Sequence, residues 1–490
     1  MCVQHPIAIV GGGPAGALAA ALLAAGGRDV HLFDEKLAWE KPCGGGLTHK
    51  ALQQFPFLAD ARTESNPVEH CELISPSGRR VRFHMQHPVA IFSRLALNGL
   101  LLERARRAGV GLHAGVHADA RVDIHHERVT RIAGTAGDWQ LVTPQREYRA
   151  SYLILAAGAR NSFRSQFVSP ILPSDLMVTA GYFIPGHGSP GNRSLMQIQF
   201  LKGITGYIWV FPRTDHVSAG ITGRMGKTST AELRRLLEHW LEEQRLEDCL
   251  NEDRRNEDRR NEENGFHLDG ARLYSHILPS FRAQTFETLQ VCGDGWAMIG
   301  DSAGLVDPIT GEGLYYALRS AELCVEALLA GRPHHYQVLL EDAVLSELKL
   351  AARVSERFFS GQVFGDSVLE RMVSLTAQSA SFRELMSDLF AGIQGYRDLR
   401  SRLYRILPAV MAEGLAETLR RPWSGSSNGA PVVVERSSPL TRLPNSALNR
   451  RDAACRVSAR EKNARAPDFG WRISVNEFNR DFSPTVSDAV

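Results

Sequence analysis

The sequence predicts an α/β protein: a doubly wound, nucleotide-binding domain interleaved with an antiparallel β-sheet and followed by C-terminal helices. Three observations carry this. Residues 7–36, IAIVGGGPAGALAAALLAAGGRDVHLFDEK, read as a buried strand, a glycine turn, a small-residue helix and a second strand. Residues 296–326 repeat the theme far along the chain, with a short apolar run, an aspartate, a glycine-broken loop and a long helix. Between them, from Leu176 to Thr222, the runs MVTAGYFIP, LMQIQFL, GYIWVFP and HVSAGIT are separated by Gly, Pro and Asp turns, the pattern of an antiparallel sheet.

The first motif is a Rossmann-type fingerprint. Gly11, Gly13 and Gly16 stand as G-x-G-x-x-G directly after the strand. In that arrangement the first glycine makes the tight turn, the second admits a pyrophosphate and the third lets the helix pack on the sheet. An acid at the end of the second strand then meets a ribose hydroxyl. Asp34 and Glu35 both fit the spacing, and Asp34 is preferred because it closes the strand. Ala15 and Lys36 are counted in the same cofactor-binding group. Ile7 to Gly27 carries no charged side chain, but its glycines are too many and too ordered for a membrane span. No Lys or Arg precedes it, as a signal peptide requires.

In the second motif, Asp301 stands at a strand's carboxyl end, where it can accept hydrogen bonds from ribityl or ribose hydroxyls. Gly311 and Gly313 let backbone approach a flat ring or a phosphate, and the helix that follows offers free N–H groups to an anion.

Composition bounds the rest. At 490 residues the chain exceeds what one core supports, so at least two lobes are expected. A net charge of +2 with no basic, aromatic-interleaved patch argues against nucleic acid. The 7 cysteines are scattered without CxxC pairs, which suits a reducing cytoplasm and predicts no metal site.

With these motifs in place, the chain resembles the flavin-dependent geranylgeranyl reductase family, within the larger group of flavoproteins built like aromatic hydroxylases. The residues that carry the resemblance are the fingerprint, Lys41-Pro42-Cys43-Gly44-Gly45-Gly46, the stretch Gly206 to Arg213 (GYIWVFPR), and Gly300-Asp301 with Asp307 to Gly313. It covers roughly residues 5 to 400. The implied cofactor is FAD. The expected FAD-binding domain comprises 1–69, 87–165 and 285–345, the β-sheet substrate domain 70–86 and 166–284, and the C-terminal helical region 346–420. In the family the Cys43-Gly44-Gly45 loop lies beside the isoalloxazine ring, where Cys43 donates a proton, holds a conformation or only packs. An arginine at the position of Arg94 contacts FAD. Gly158 follows the strand Tyr152 to Leu155, but aromatic hydroxylases carry Asp before that glycine and this chain has Ala157. The departure weakens any expectation of hydroxylase-style NAD(P)H binding.

CELIS and RVRFHM flank Pro76-Ser77-Gly78 as a hairpin. A helix runs through Arg107, with Leu95, Leu97, Leu100, Leu101 and Ala105 expected on its inner side. Period-two alternation sets Tyr207, Trp209 and Phe211 on one sheet face, where they wall a long apolar cavity or fill an ordinary core. Tyr207, Trp209 and Cys43 are the catalytic candidates. Ser229 to Leu250 is an amphipathic helix, and the charged repeat from Asn251 to Asn264 is a solvated loop or helix extension. Helices over 333–420 present Phe358, Phe359, Val363 and Phe364, then Leu385, Met386, Leu389 and Phe390, to a helix bundle, a cavity roof or a bilayer surface. Residues 421–490 are polar and aperiodic and are expected to be disordered.

The activity implied is saturation of carbon–carbon double bonds in an isoprenoid or prenylated lipid, with NAD(P)H or a ferredoxin-type protein as electron donor. The expected location is the cytoplasm, with peripheral contact at the inner face of the membrane left open. The alternative is a flavin monooxygenase or halogenase acting on a small aromatic, because a fold hosts many chemistries.

Overall fold

The structure, a computed structural model, describes residues 5–60, 65–108, 120–186, 193–252, 268–363 and 365–420. The tail 421–490, the charged repeat beyond Glu252 and Phe364 lie outside the described residues.

A six-stranded sheet runs in the order Cys292–Gly293, Trp296–Met298, Tyr152–Leu155, Ile7–Val10, Val30–Phe33, Val122–His125. Every neighbouring pair is parallel except the first. The inner runs IAIV and YLIL are buried throughout, as strands covered on both faces must be. Helix Pro14–Ala25 packs against helices Arg94–Arg107 and Leu314–Leu329. Its alanines remove the bulk that would hold those helices apart.

Helix Arg94–Arg107 buries Leu97, Asn98, Leu101, Leu102 and Ala105, the i, i+4 ladder of one face. Leu95 is 51% exposed, against expectation: it lies two positions before Leu97, on the opposite side of the helix.

The second sheet has eight strands in the order Arg272–Pro279, Leu176–Pro185, His216–Arg224, Tyr207–Pro212, Leu195–Phe200, Ser65–Ile74, Arg80–Phe92, Gly46–Leu47. All pairs are antiparallel except Leu195–Phe200 with Ser65–Ile74. The edge strand Arg272–Pro279 was not anticipated. The alternation on Tyr207–Pro212 decides which layer each residue meets. Ile208 and Val210 join a core closed by Leu233, Leu237 and Trp240 of helix Thr230–Glu252. Tyr207, Trp209 and Phe211 turn to the other face and pack with Phe183 and Tyr274. Farther along the sheet, Phe359, Leu369, Met372, Val373 and Met386 of the C-terminal helices cover Phe83, Met85 and Ile198, with Phe358, Leu389 and Phe390 at the margin. Val363 stands exposed on a short hairpin instead.

The chain passes between the two sheets repeatedly. Loops at the carboxyl ends of the parallel strands therefore meet segments of the antiparallel sheet.

Candidate active site

The fingerprint loop forms as the glycine spacing requires. Gly11 has φ +111°, and a Cβ there would lie 2.3 Å from the carbonyl of Ala156, so two adjacent strand ends close on each other only because the side chain is absent. A Cβ on Gly13 would meet nothing within 4 Å, which leaves open space before the N-terminus of helix Pro14–Ala25. Gly16 packs on the backbone of Gly11. Ala15 is buried, near Gly300. Asp34 accepts from the amides of Gly12 at 2.6 Å and of Lys36 and Leu37 at 2.7 Å, so the strand-end acid shapes the turn as well as facing the loop. Glu35 is exposed and lies 3.9 Å from Arg128, and Lys36 rests over the Trp39 ring. Neither is drawn into the loop.

Opposite this turn lies a cationic cluster around one acid. Lys41 Nζ is 3.3 Å from Asp301 Oδ2. Gly158 sits beside Lys41, and Ser302 donates to the Gly158 carbonyl at 3.2 Å. Burial works to raise the Asp301 pKa, but Lys41 above all, with Arg94, outweighs it and holds the carboxyl below its ordinary value. His276 reaches this cluster from the unanticipated edge strand. Burial, with Lys41, Arg160 and Arg94 nearby, pushes its imidazole down to about 3 against the opposing pull of Asp301, so it is neutral. Its Nε2 is buried without a hydrogen-bond partner, and so are Arg94 Nε and Asn161 Nδ2. The Arg94 guanidinium makes one long contact to Asn98, at 3.5 Å, and no ion pair among the described residues. Buried polar atoms are rarely left unsatisfied. Three of them, with Lys41 and Arg160, fit an anionic, hydroxyl-bearing cofactor such as a flavin nucleotide.

The Pro-Cys-Gly-Gly-Gly loop is tied down from a distance. Arg213, fully buried, donates to the Cys43 carbonyl at 2.5 Å and pairs with Glu40. Ser218 Oγ donates to the same carbonyl at 3.0 Å and lies 3.1 Å from the Tyr274 hydroxyl. Trp209 Nε1 donates to Ser218 Oγ at 3.4 Å, and its indole lies against Gly220. Glu40 also accepts from the Ser93 hydroxyl and the amides of Arg94 and Leu95, at 2.6, 2.9 and 3.2 Å, so it caps the helix that carries Arg94. The thiol of Cys43 accepts from the Gly45 amide at 3.3 Å, Gly45 has φ +85°, and Gly44 lies against the ring of Phe211. The cysteine loop therefore rests on the aromatic strand.

The third element is the loop 307–313. Tyr207 donates its hydroxyl to the Thr310 carbonyl, and Gly311 approaches the same hydroxyl. Gly313 lies next to Asp301 and begins helix Leu314–Leu329. Asp307 accepts from the amides of Ile309 and Thr310 at 2.8 and 3.1 Å and from the Tyr396 hydroxyl at 2.9 Å. Burial pushes Glu312 up to about 7, against a hydrogen bond from the Thr48 hydroxyl at 2.9 Å. Sequence reasoning missed Glu40, Ser218, His276 and Glu312. For Glu312 a signal existed, an acid between the two glycines of a cofactor loop.

A glycine cradle, a strand-end aspartate among cations and a second glycine loop at a helix N-terminus define a flavin-dependent oxidoreductase. Comparisons with known proteins agree. Residues 9–56 match an NAD(P)-binding Rossmann-like domain. The chain is 26% identical over 417 residues to geranylgeranyl diphosphate reductase of Synechocystis, covering 78% of this chain and 89% of that protein. It is 26% identical over 337 residues to menaquinone reductase of Mycobacterium tuberculosis, covering 66% and 76%. Its fold is shared with a geranylgeranyl bacteriochlorophyll reductase-like protein of Thermoplasma acidophilum (TM-score 0.62, 18% identity, 82% and 99% covered). It is shared too with a flavin-dependent brominase (TM-score 0.57, 16% identity, 82% and 98% covered). The protein is thus a flavin-dependent oxidoreductase similar to the geranylgeranyl reductases.

Proposed function

We propose that the protein is an FAD-dependent reductase that saturates carbon–carbon double bonds of an isoprenoid chain. The observation that carries the reading is the Cys43 loop, locked by Arg213 and Ser218 onto the Tyr207–Trp209–Phe211 face beside the nucleotide cradle. An apolar face of this kind suits a prenyl chain better than a polar substrate. The geranylgeranyl diphosphate and menaquinone reductases among the relatives support the same class.

In this reading Gly11, Gly13, Gly16, Asp34, Arg94, Gly158, Asp301, Gly311 and Gly313 hold the dinucleotide. Arg94 and Asn161 satisfy their free donors on it, and His276 its unpartnered ring nitrogen. When bound and reduced, the flavin supplies the hydride for one alkene carbon. The protein holds the alkene in place, excludes water and brings a proton to the other carbon. In this reading that proton is held by the Cys43 thiol or by the Glu312 carboxyl, whose pKa of about 7 leaves it about half protonated at neutrality. Trp209 acts as a positioning residue through Ser218. Electrons come from NAD(P)H or a ferredoxin-type donor.

The test is anaerobic incubation of the reduced protein with a polyprenyl substrate, followed by mass spectrometry. Products heavier by two hydrogens per reduced bond are expected. Oxygen uptake with hydroxylation or halogenation of an aromatic, and no saturation, would replace this reading by the monooxygenase one.

A further inference from the structure

The helix Tyr396–Arg420 carries an apolar stripe that no other described residue covers. Its orientation is set on one side by polar contacts. Arg402 meets Asp388 at 2.6 Å, Glu413 accepts from the Ser381 hydroxyl at 2.8 Å, and Val410 is buried. Beside that packed side, Leu403 is 39% exposed, Tyr404 62%, Leu407 48% and Met411 68%, and Ile393 in the preceding turn is 47%. At about 100° per residue the four helical positions fall within an arc of about 100°. Exposed single apolar residues need no explanation, but a stripe of large ones on one helix does.

The charges around the stripe choose its occupant. Arg397, Arg400 and Arg405 are exposed on this helix, and Asp398 is the one exposed acid among its described residues. Arg400 lies over the Tyr404 ring, within the same arc and about one turn before the stripe. A basic helix that also exposes Leu, Met and Tyr has the composition of one lying in a membrane interface. None of the described helices is long and apolar enough to cross a bilayer, so the contact is peripheral.

The helix is also wired to the site. Its first residue, Tyr396, donates to Asp307 of the 307–313 loop at 2.9 Å, and its amide bonds Glu347 at 2.5 Å.

We propose that this stripe is a bilayer-docking surface that seats the protein on anionic membranes, where its prenyl substrate is dissolved. The identity of that substrate rests on the proposed function; the surface itself rests on exposure and charge.

The experiment sediments the full-length, flavin-loaded protein with vesicles of phosphatidylcholine alone and of phosphatidylcholine mixed with phosphatidylglycerol. Binding to the anionic vesicles, weakened by salt, is expected. Leu407→Ser with Met411→Ser, and separately Arg400→Gln with Arg405→Gln, are expected to weaken it about 10-fold or more. Both variants should keep their flavin and turn over detergent-solubilised substrate as the parent does.

Parent protein that stays in the supernatant, or variants that bind as the parent does, would overturn the proposal. So would a vesicle-independent dimer that the Leu407/Met411 variant dissolves, because the stripe would then face a second copy. Vesicle binding without prenyl reduction leaves this surface intact and removes the functional reading. Prenyl reduction in detergent without vesicle binding does the reverse.

Discussion

The two loops that meet at the site are built by different means. The fingerprint loop is made from backbone: its shape comes from missing side chains at Gly11 and Gly16, Gly13 leaves space open beside it, and its one side-chain tie, from Asp34, is 22 residues away. The cysteine loop is made from side chains. Its carbonyl at Cys43 is held by Arg213 and Ser218, 170 and 175 residues along the chain, and Arg213 is in turn held by Glu40. A backbone-built loop should fail by losing its ligand. A side-chain-built loop should fail by losing its shape. Substitutions in the two loops separate these modes of failure.

The largest effect is expected at Glu40. Its carboxyl pairs with a fully buried guanidinium and caps a helix, so Glu40→Ala leaves Arg213 uncompensated. Breaking such a pair costs about 3–5 kcal/mol, which chemical denaturation would read directly. Burial tends to raise the Glu40 pKa, but Arg213, Ser93 and the amides of Arg94 and Leu95 outweigh it and hold it below the ordinary value. Stability from this group is therefore full above pH about 4.5 and is lost as pH falls through the lowered folded value. Glu40→Gln should flatten that acid limb. If Glu40→Ala unfolds no more easily than the parent, the cysteine loop is not held as described.

Gly13→Val should do the opposite, leaving the protein folded and colourless. A Cβ there meets no protein atom within 4 Å, and the valine methyls would fill the space a pyrophosphate needs. Asp301→Ala should also release flavin, at a cost to binding of about 1–3 kcal/mol. Absorbance after gel filtration checks both. A yellow Gly13→Val protein would mean the cofactor lies elsewhere.

How much of this was legible in the sequence follows the same division. Glycine spacing and apolar period are local, so the glycine turn, the short strand before Asp301 and the face shared by Tyr207, Trp209 and Phe211 could be read directly. Glu40 could not, since a loop glutamate beside Lys41 has the look of a solvated one. Its partners come from segments that no local period connects. The strand Arg272–Pro279 was missed because its exposed Arg272, Leu273 and Ser275 blur the alternation, and with it went His276. The stretch 421–490 lies outside the described residues.

His276 sharpens the comparison, because it is a side chain serving the backbone-built half. Its Nε2 is buried and unpartnered, so His276→Leu removes an unsatisfied group. The flavin-free protein should be as stable as the parent or slightly more so, while flavin affinity drops about 10-fold. Equal flavin affinity in the two proteins would show that this nitrogen has no partner on the cofactor.

Glu312 gives a pH signature. Burial raises its folded pKa to about 7 from an ordinary 4.5. Its contribution to stability is thus fully present below pH about 4.5 and is lost as pH rises through about 7. Glu312→Gln should remove that decline, so the variant gains on the parent between pH 5 and pH 8 (roughly the window of that shift). If Glu312 holds the proton for the alkene, the same variant loses turnover at every pH, whereas a purely structural role leaves turnover intact. Cys43→Ser, assayed in parallel, divides the task between the two groups.

At Trp209 the effect on the fold is expected to be small, and it is the most informative about function. Trp209 links the aromatic face to the cysteine loop, since its N–H goes to Ser218 and Ser218 goes to the Cys43 carbonyl. Trp209→Phe keeps a ring against Gly220 and gives up one long hydrogen bond and some volume. A change of that size costs about 1–2 kcal/mol in a core, and the protein should stay yellow. Its effect should appear in the products. A wider wall lets a prenyl chain slide, so different double bonds come to rest over the flavin, and a small misplacement can cost about 100-fold in rate. A slower reaction with a shifted mixture of partly saturated chains is therefore expected, read by mass spectrometry against the parent. Unchanged rate and mixture would mean that the aromatic face is ordinary core, and that the substrate meets the flavin from another side.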